Sequence, residues 1–176
     1  MAGKNHTKRI LNNTLMFIIK LLNDNNIHNW FIGYGTLLGI IRENSCIEGD
    51  DDIDIIIDKN NYDTIKQLLI KNGIIIEYGY GINASTNILK TKCNEDYCSV
   101  DFYMASVDKE GNFNDTWEKV IWSGCYDENG ELLQYTWNEN TLFLPFNYET
   151  KLINRYGDNW RVPQDSKGPT PRKTIL

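Results

Sequence analysis

The chain is poor in alanine, histidine, cysteine and proline, with three, two, four and four copies among 176 residues. It also lacks long apolar runs. Leu15 to Ile19 and Ile74 to Ile76 are among the longest, so no segment can span a bilayer. The N-terminus shows no apolar core of a cleaved secretory signal, which places the expected location in the cytoplasm. No basic block stands out: 18 Lys and Arg face 24 Asp and Glu, for a net charge of −6. That balance excludes a general nucleic-acid binder. Cys46, Cys93, Cys98 and Cys125 form no pair of C-x-x-C knuckles. They read as reduced thiols, with a Cys93–Cys98 disulfide or a cysteine zinc site as the alternatives. What is abundant is asparagine and isoleucine, at 22 copies each, the mark of A/T-rich codons. The sequons at Asn5, Asn12, Asn83 and Asn114 are expected by chance in so Asn-rich a chain.

The length suits one domain that buries roughly two thirds of its unfolded surface. No repeat and no Pro-rich linker precedes residue 163. Apolar residues at Ile10, Leu11, Leu15, Ile18, Ile19 and Leu22 have helical spacing and predict a helix within 7–26. Residues 30–34 predict a strand, Gly35-Thr36 a turn, and 37–43 a short helix. A strand follows at 53–57, then a helix from Asn60 or Asn61 to Lys71 that ends at Gly73. Strands are expected at 74–80, 86–92 and 98–105, small strands and loops over 108–147, and a helix over 146–156. The order implies an α+β fold, a mixed β-sheet with helices packed on it. The segment 163–176 holds three of the four prolines and reads as an extended basic tail.

The densest chemical signal is Gly49-Asp50-Asp51-Asp52-Ile53-Asp54-Ile55. Alternate strand residues share a face, so Asp52 and Asp54 project together, about 7 Å apart at Cα. Carboxylates held that close repel and raise one another's pKa, and a magnesium or manganese ion between them removes the penalty. Asp101, in the apolar strand Ser99-Val100-Asp101-Phe102-Tyr103, would complete a three-carboxylate nest if its strand lies alongside. It would serve as third ligand or as general base. Upstream, Gly33-Tyr34-Gly35-Thr36 sits between a strand and a helix. Its glycines permit close backbone approach, and free N–H groups at a helix start receive phosphate. Arg42 either grips a phosphate or forms an ion pair. His6 and His28 lie outside these motifs and are given no catalytic role.

Together these residues carry a resemblance. Trp30-Phe31-x-Gly33-Tyr34-Gly35-Thr36-Leu37-Leu38-Gly39-x-x-Arg42, continuing through Ile47 to Asp50-Asp51-Asp52-Ile53-Asp54, resembles the opening motif of the LicD family. That family includes bacterial phosphocholine transferases, fukutin and fukutin-related protein. Arg155-Tyr156-Gly157-Asp158-x-Trp160-x-x-Pro163 resembles its closing motif. The resemblance spans about residues 30–163 and implies a minimal nucleotidyltransferase-like fold, a single domain over 1–162 followed by the tail at 163–176. In that superfamily a Gly-Ser turn precedes an acid-x-acid strand, and a later strand adds another acid. Gly35-Thr36, Asp52 and Asp54, and Asp101 fill those places, Asp96 and Asp108 being competitors for the last.

The resemblance implies a metal-dependent transferase, using Mg2+ or Mn2+, that moves phosphocholine or an alditol phosphate from a CDP-linked donor to a glycan or glycoconjugate hydroxyl. Asp52, Asp54 and Asp101 would hold the metal and carry catalysis. Gly33, Gly35, Thr36, Arg42 and Arg155 would bind the donor, with Lys167 as a further phosphate contact. Trp160 and Tyr156 either stack on the cytosine, line the acceptor cleft or simply pack in the core. Two rivals remain: transfer of NMP from an NTP to a small molecule or protein, and a catalytically silent binding domain. Oligomeric state is not legible.

Overall fold

In the computed structural model, residues 4–82, 85–164 and 174–175 are described. Helix α1 (Lys8–Asp24) starts where Thr7 accepts a hydrogen bond from Ile10 N, a side-chain cap for an otherwise orphan donor. Its apolar stripe buries Leu11, Leu15, Ile18, Ile19 and Leu22. Strand β1 (Trp30–Ile32) follows, then helix α2 (Tyr34–Glu43). Helix α2 begins three residues earlier than its apolar pattern predicts, so Gly35-Thr36 is not a turn but part of the first helical turn. Strand β2 (Asp52–Asp58) and helix α3 (Tyr62–Lys71) come next, close to expectation.

The main sheet is mixed. Strand β3 (Ile88–Lys90) precedes the long strand β4 (Ser99–Val107), then β5 (Phe113–Asp115) and β6 (Val120–Trp122). Strand β2 is central, antiparallel to β1 and parallel to β4. That position buries Ile53, Ile55, Ile56 and Ile57 completely and explains a run that is apolar rather than alternating. The other edge of β4 is shared, with β3 along its first half and β5 along its second. A hairpin of β7 (Leu133–Trp137) and β8 (Asn140–Leu144) lies apart. It docks through Phe143 edge-on to Trp30 at 5.1 Å and through Trp137 Nε1 donating to the Asn44 carbonyl at 3.0 Å. Helix α4 (Tyr148–Tyr156) is pinned from within: buried Lys151 donates from Nζ to the Phe146 carbonyl at 2.7 Å.

The strand expected at 74–80 needs correction. Over 74–80 no strand forms. Only Ile76 pairs, bridging Thr91, and Gly79–Gly81 make a short 3-10 turn. Glycines at 73 and 81, both with positive φ, favour turns over ladder geometry. The tail at 163–176 lies largely outside the described residues, Lys167 included, but Thr174–Ile175 form a ninth strand, parallel to β6. All four cysteines are unbonded. Among the described residues no helix is long and apolar enough to cross a membrane.

Gly39 lies mid-helix in α2, where replacing glycine by alanine ordinarily gains about 1 kcal/mol. Here a Cβ would meet the Ser45 carbonyl oxygen at 2.6 Å and Ile47 N at 3.1 Å. Gly39→Ala is therefore expected to destabilise by about 1–3 kcal/mol through overpacking. Urea denaturation reads the sign directly.

Candidate active site

The parallel register of β2 and β4 sets Asp54 directly beside Asp101, and Asp52 beside Ser99. On the far edge of β4, antiparallel β3 sets Lys90 beside Asp101. Gly33 N donates to the Asp54 carbonyl at 3.1 Å. Residues paired across neighbouring strands share a face, so one row crosses the sheet as Gly33, Asp54, Asp101 and Lys90. Asp52 lies on the same face two residues before Asp54.

Each acid is held by specific neighbours. Asp54 Oδ2 accepts from Gly35 N at 3.1 Å, and Oδ1 accepts from the Tyr103 hydroxyl at 3.3 Å. Its backbone N–H donates to Thr36 Oγ1 at 2.9 Å. One aspartate thereby ties the start of α2 to the sheet. Asp101 Oδ1 and Asp52 Oδ2 both accept from Lys90 Nζ, at 2.5 and 3.2 Å. Asp50 also comes in, since a Cβ on Gly35 would lie 2.8 Å from Asp50 Oδ2 and 3.6 Å from Asp54 Oδ2. Helix α1 anchors the start of β4, because Thr14 Oγ1 accepts from Cys98 N at 3.0 Å. His6 takes no side-chain part, but its backbone pairs with Gly49 and Asp50 and staples the acidic loop.

Burial and mutual repulsion shape the electrostatics. Burial pushes the Asp52 carboxyl up to about 7, with Asp101 adding repulsion and Lys90 opposing it. Asp54 is pushed well above the usual carboxylate range by burial first, then by Asp52, Asp101 and Asp50. Asp101 rises through burial, against the pull of Lys90. Burial alone would lower Lys90, but Asp101 and Asp52 hold it above its ordinary value. These are the signs of carboxylates gathered at a cost in electrostatic repulsion. The donor set is all hard oxygen, the preference of Mg2+ and Mn2+. Among the described residues, the acids whose oxygens all lie within 4.8 Å of one another are Asp50, Asp51 and Asp52, so the acidic loop and the first residue of β2 are where one cation could be held; Asp54 and Asp101 are not part of that group.

The rest of the wall is aromatic. Tyr34 has a left-handed backbone, φ 43°, a strained conformation for a bulky residue. Its surroundings hold it there. The hydroxyl donates to buried Asp115 at 2.6 Å, and the ring meets Tyr103 and Trp122 edge-on at 4.9 and 5.2 Å. The Arg155 guanidinium stacks over the same ring, 4.4 Å from its centroid. Arg155 Nε and Nη1 are buried and make no hydrogen bond among the described residues.

Three expected substrate contacts have partners within the protein. Thr36 is buried, and its hydroxyl oxygen accepts from the Asp54 backbone N–H, so it positions an acid. Arg42 stands in the last turn of α2 and donates to Glu43 Oε1 from Nε and Nη2; the ion pair is the alternative present. Trp160 is 3% exposed and covered by the Arg161 guanidinium at 4.1 Å, as in core packing. Lys90, Asp50, Tyr34 and Asp115 were not singled out as site residues by the sequence. The only signal for Lys90 was its place in an expected strand.

Comparisons with known proteins agree with this architecture. A family model described as LicD/FKTN/FKRP, nucleotidyltransferase domain, matches residues 27–154. No curated protein matches the sequence significantly. Among solved structures, the lincosamide antibiotic adenylyltransferase LnuA, bound to lincomycin, aligns with a TM-score of 0.53 at 17% identity, covering 78% of this chain and 81% of that one. A Thermotoga maritima protein described as a candidate nucleotidyltransferase aligns with a TM-score of 0.39 at 13% identity, over 77% and 79%. The LnuA likeness shows the fold: an α+β nucleotidyltransferase arrangement.

A carboxyl group raised from 3.8 to about 7 binds its proton more tightly folded than unfolded. Its contribution to stability is full below the unfolded value and is lost as pH rises through the folded one. The metal-free protein is thus expected to lose stability between about pH 4 and 7 from this group, and Asp52→Asn should flatten that slope. Denaturant titrations across the pH series, with chelator present, check it.

Proposed function

From the premise that the chain belongs to the LicD/FKTN/FKRP nucleotidyltransferase-domain family, we propose that it is a metal-dependent phosphotransferase. It moves a phospho-linked group, phosphocholine or an alditol phosphate, from a CDP-activated donor to a glycan hydroxyl. The observation that carries this reading is the row of Asp54, Asp101 and Lys90 across adjacent strands, with Asp52 on the same face. Asp52, joined by Asp50 and Asp51, holds the cation, with Asp54 and Asp101 on the same face of the sheet. When bound, Mg2+ or Mn2+ offsets charge on the diphosphate.

The chain's own residues do the rest. The tight approach of Gly35 to Asp50 and Asp54 leaves the start of α2 without side-chain bulk, so donor oxygens can come close to the backbone. Arg155 supplies the buried Nε and Nη1 donors that suit a phosphate oxygen. Its stacking on Tyr34 fixes the direction of the fork, and the Tyr34–Asp115 hydrogen bond fixes Tyr34. As the acceptor oxygen bonds to the transferred phosphorus, the bond from that phosphorus to the bridging oxygen breaks and CMP leaves. The hydroxyl proton passes to the Asp101 carboxylate.

The fold likeness to an adenylyltransferase makes NMP transfer from an NTP the rival. Product analysis separates the two: free CMP after incubation with CDP-choline or CDP-ribitol, Mn2+ and a glycan supports the proposal, whereas nucleotide attached to the acceptor supports the rival. Failure of CDP-choline, CDP-ribitol and CDP-glycerol to bind in magnesium titration calorimetry would sink the CDP-donor reading.

Asp54→Asn is expected to lower turnover on the order of 10²- to 10³-fold while the protein stays folded, since removing one like charge relieves repulsion. A silent binding domain would show full biological activity in the same variant. Arg155→Met should weaken CDP binding by roughly tenfold, about 1.4 kcal/mol, with metal binding unchanged in calorimetry.

A further inference from the structure

Glu118 is brought to the rim of the site by the side chain of a neighbour. Along β4, Asp101, Tyr103 and Ala105 share a face, and Asp115 of β5 stands opposite Ala105. Asp115 therefore faces the same side of the sheet as the acid row. It is fully buried and its oxygens are taken. Oδ2 accepts from the Tyr34 hydroxyl at 2.6 Å, and Oδ1 from the N–H groups of Trp117 and Glu118 at 3.0 and 3.1 Å. The last two bonds fold the turn between β5 and β6 back over Asp115. Arg155 stacks on the same Tyr34, so Tyr34, Arg155 and Glu118 gather around one buried acid. Glu118 itself is exposed, and its carboxylate makes no hydrogen bond or ion pair among the described residues. It lies within electrostatic reach of Asp115, Arg155, Asp101 and Tyr103.

The chemistry of that position narrows its ligand. An ionised carboxylate accepts hydrogen bonds and cannot donate them. Asp115 and Asp101 add negative charge around it, so phosphate oxygens are repelled from Glu118 and drawn to Arg155. Among the described residues, the acids close enough to share one cation are Asp50, Asp51 and Asp52, and Glu118 is not one of them. A neutral ligand rich in O–H donors fits what is left, and the hydroxyls of a sugar or alditol are such donors. We propose that Glu118 selects the acceptor: its carboxylate accepts hydrogen bonds from acceptor hydroxyls that flank the reacting one, while Arg155 takes the phosphate of the donor. The inference rests on the transferase reading above and adds a residue to it. Glu118 holds the acceptor and takes no part in the bond exchange at phosphorus.

The test uses the full chain with Mn2+ and the variant Glu118→Gln. The bond from Glu118 to Asp115 is made by the backbone, so the variant keeps the turn. CDP and CDP-choline binding are measured by calorimetry. Ribitol and methyl β-galactoside are the acceptor probes, and their binding is read from the broadening that Mn2+ induces in their NMR signals with CDP present. The two ligands are expected to respond with opposite signs. Probe affinity should fall roughly tenfold on loss of a charged hydrogen-bond acceptor, whereas CDP should bind as before or up to about threefold more tightly, since a like charge is gone. A loss of CDP and probe binding together marks a structural role and overturns the proposal, as does a variant in which neither changes. Selective loss of CDP-choline with CDP unchanged assigns Glu118 to the donor's cationic head and overturns it too. If CDP and Mn2+ bind but neither probe is broadened in the wild type, the acceptor role fails while the transferase reading stands. If CDP and Mn2+ do not bind, that reading falls and the acceptor role falls with it.

Discussion

Repulsion among buried carboxylates is the constraint around which this fold is arranged. Asp52, Asp54 and Asp101 stand on one face of the sheet because alternate strand residues share a face and β2 and β4 are parallel and in register, with Asp54 and Asp101 buried. The structure answers the repulsion locally. Lys90 bridges one pair, while a backbone N–H and a tyrosine hydroxyl donate to Asp54. Central strands this apolar hold the acids close despite the charge: Ile53, Ile55, Ile56, Ile57, Phe102 and Ala105 are fully buried. Burial of that extent is favourable at roughly 25 cal/mol per Å² of apolar surface, a sum large enough to outweigh a few unfavourable ionisations.

The aromatic wall has a comparable logic. Tyr34 holds a left-handed backbone at the junction of β1 and α2, and no single contact accounts for it. Asp115 takes its hydroxyl, Tyr103 and Trp122 pack its edges, and Arg155 covers its face. Asp115 is itself fixed by the N–H groups of Trp117 and Glu118. Strain of this kind persists where surrounding contacts over-determine it, and here it turns the chain from strand to helix without a loop. Gly35 N is thereby delivered to Asp54.

Much of this was legible in the sequence, for identifiable reasons. Alternation put Asp52 and Asp54 on one face, and the apolar setting of Asp101 marked it as a strand residue; both are local properties. The pairing that joins the strands is not local: the sequence leaves it conditional on the two segments lying side by side, and its parallel register is seen only in the structure. Lys90 escaped notice because its chemistry lies entirely in register: a one-residue slip of β3 would send it to the opposite face. Gly35-Thr36 reads as a turn because glycine signals one, whereas the helix already starts at Tyr34. Arg42 was ambiguous for the reason arginines usually are, since Glu43 beside it in sequence is also its partner in space.

The parallel pairing of β2 and β4 carries one more implication. Asp58 ends β2 and Ser99 begins β4, so some forty residues lie between the strands that carry Asp54 and Asp101, whose spacing is set by the inter-strand distance, about 4.8 Å. The intervening stretch contains a helix, the 3-10 turn at Gly79–Gly81 and the edge strand that carries Lys90. Insertions ahead of Ile88 that keep β3 in register would leave the acid spacing untouched.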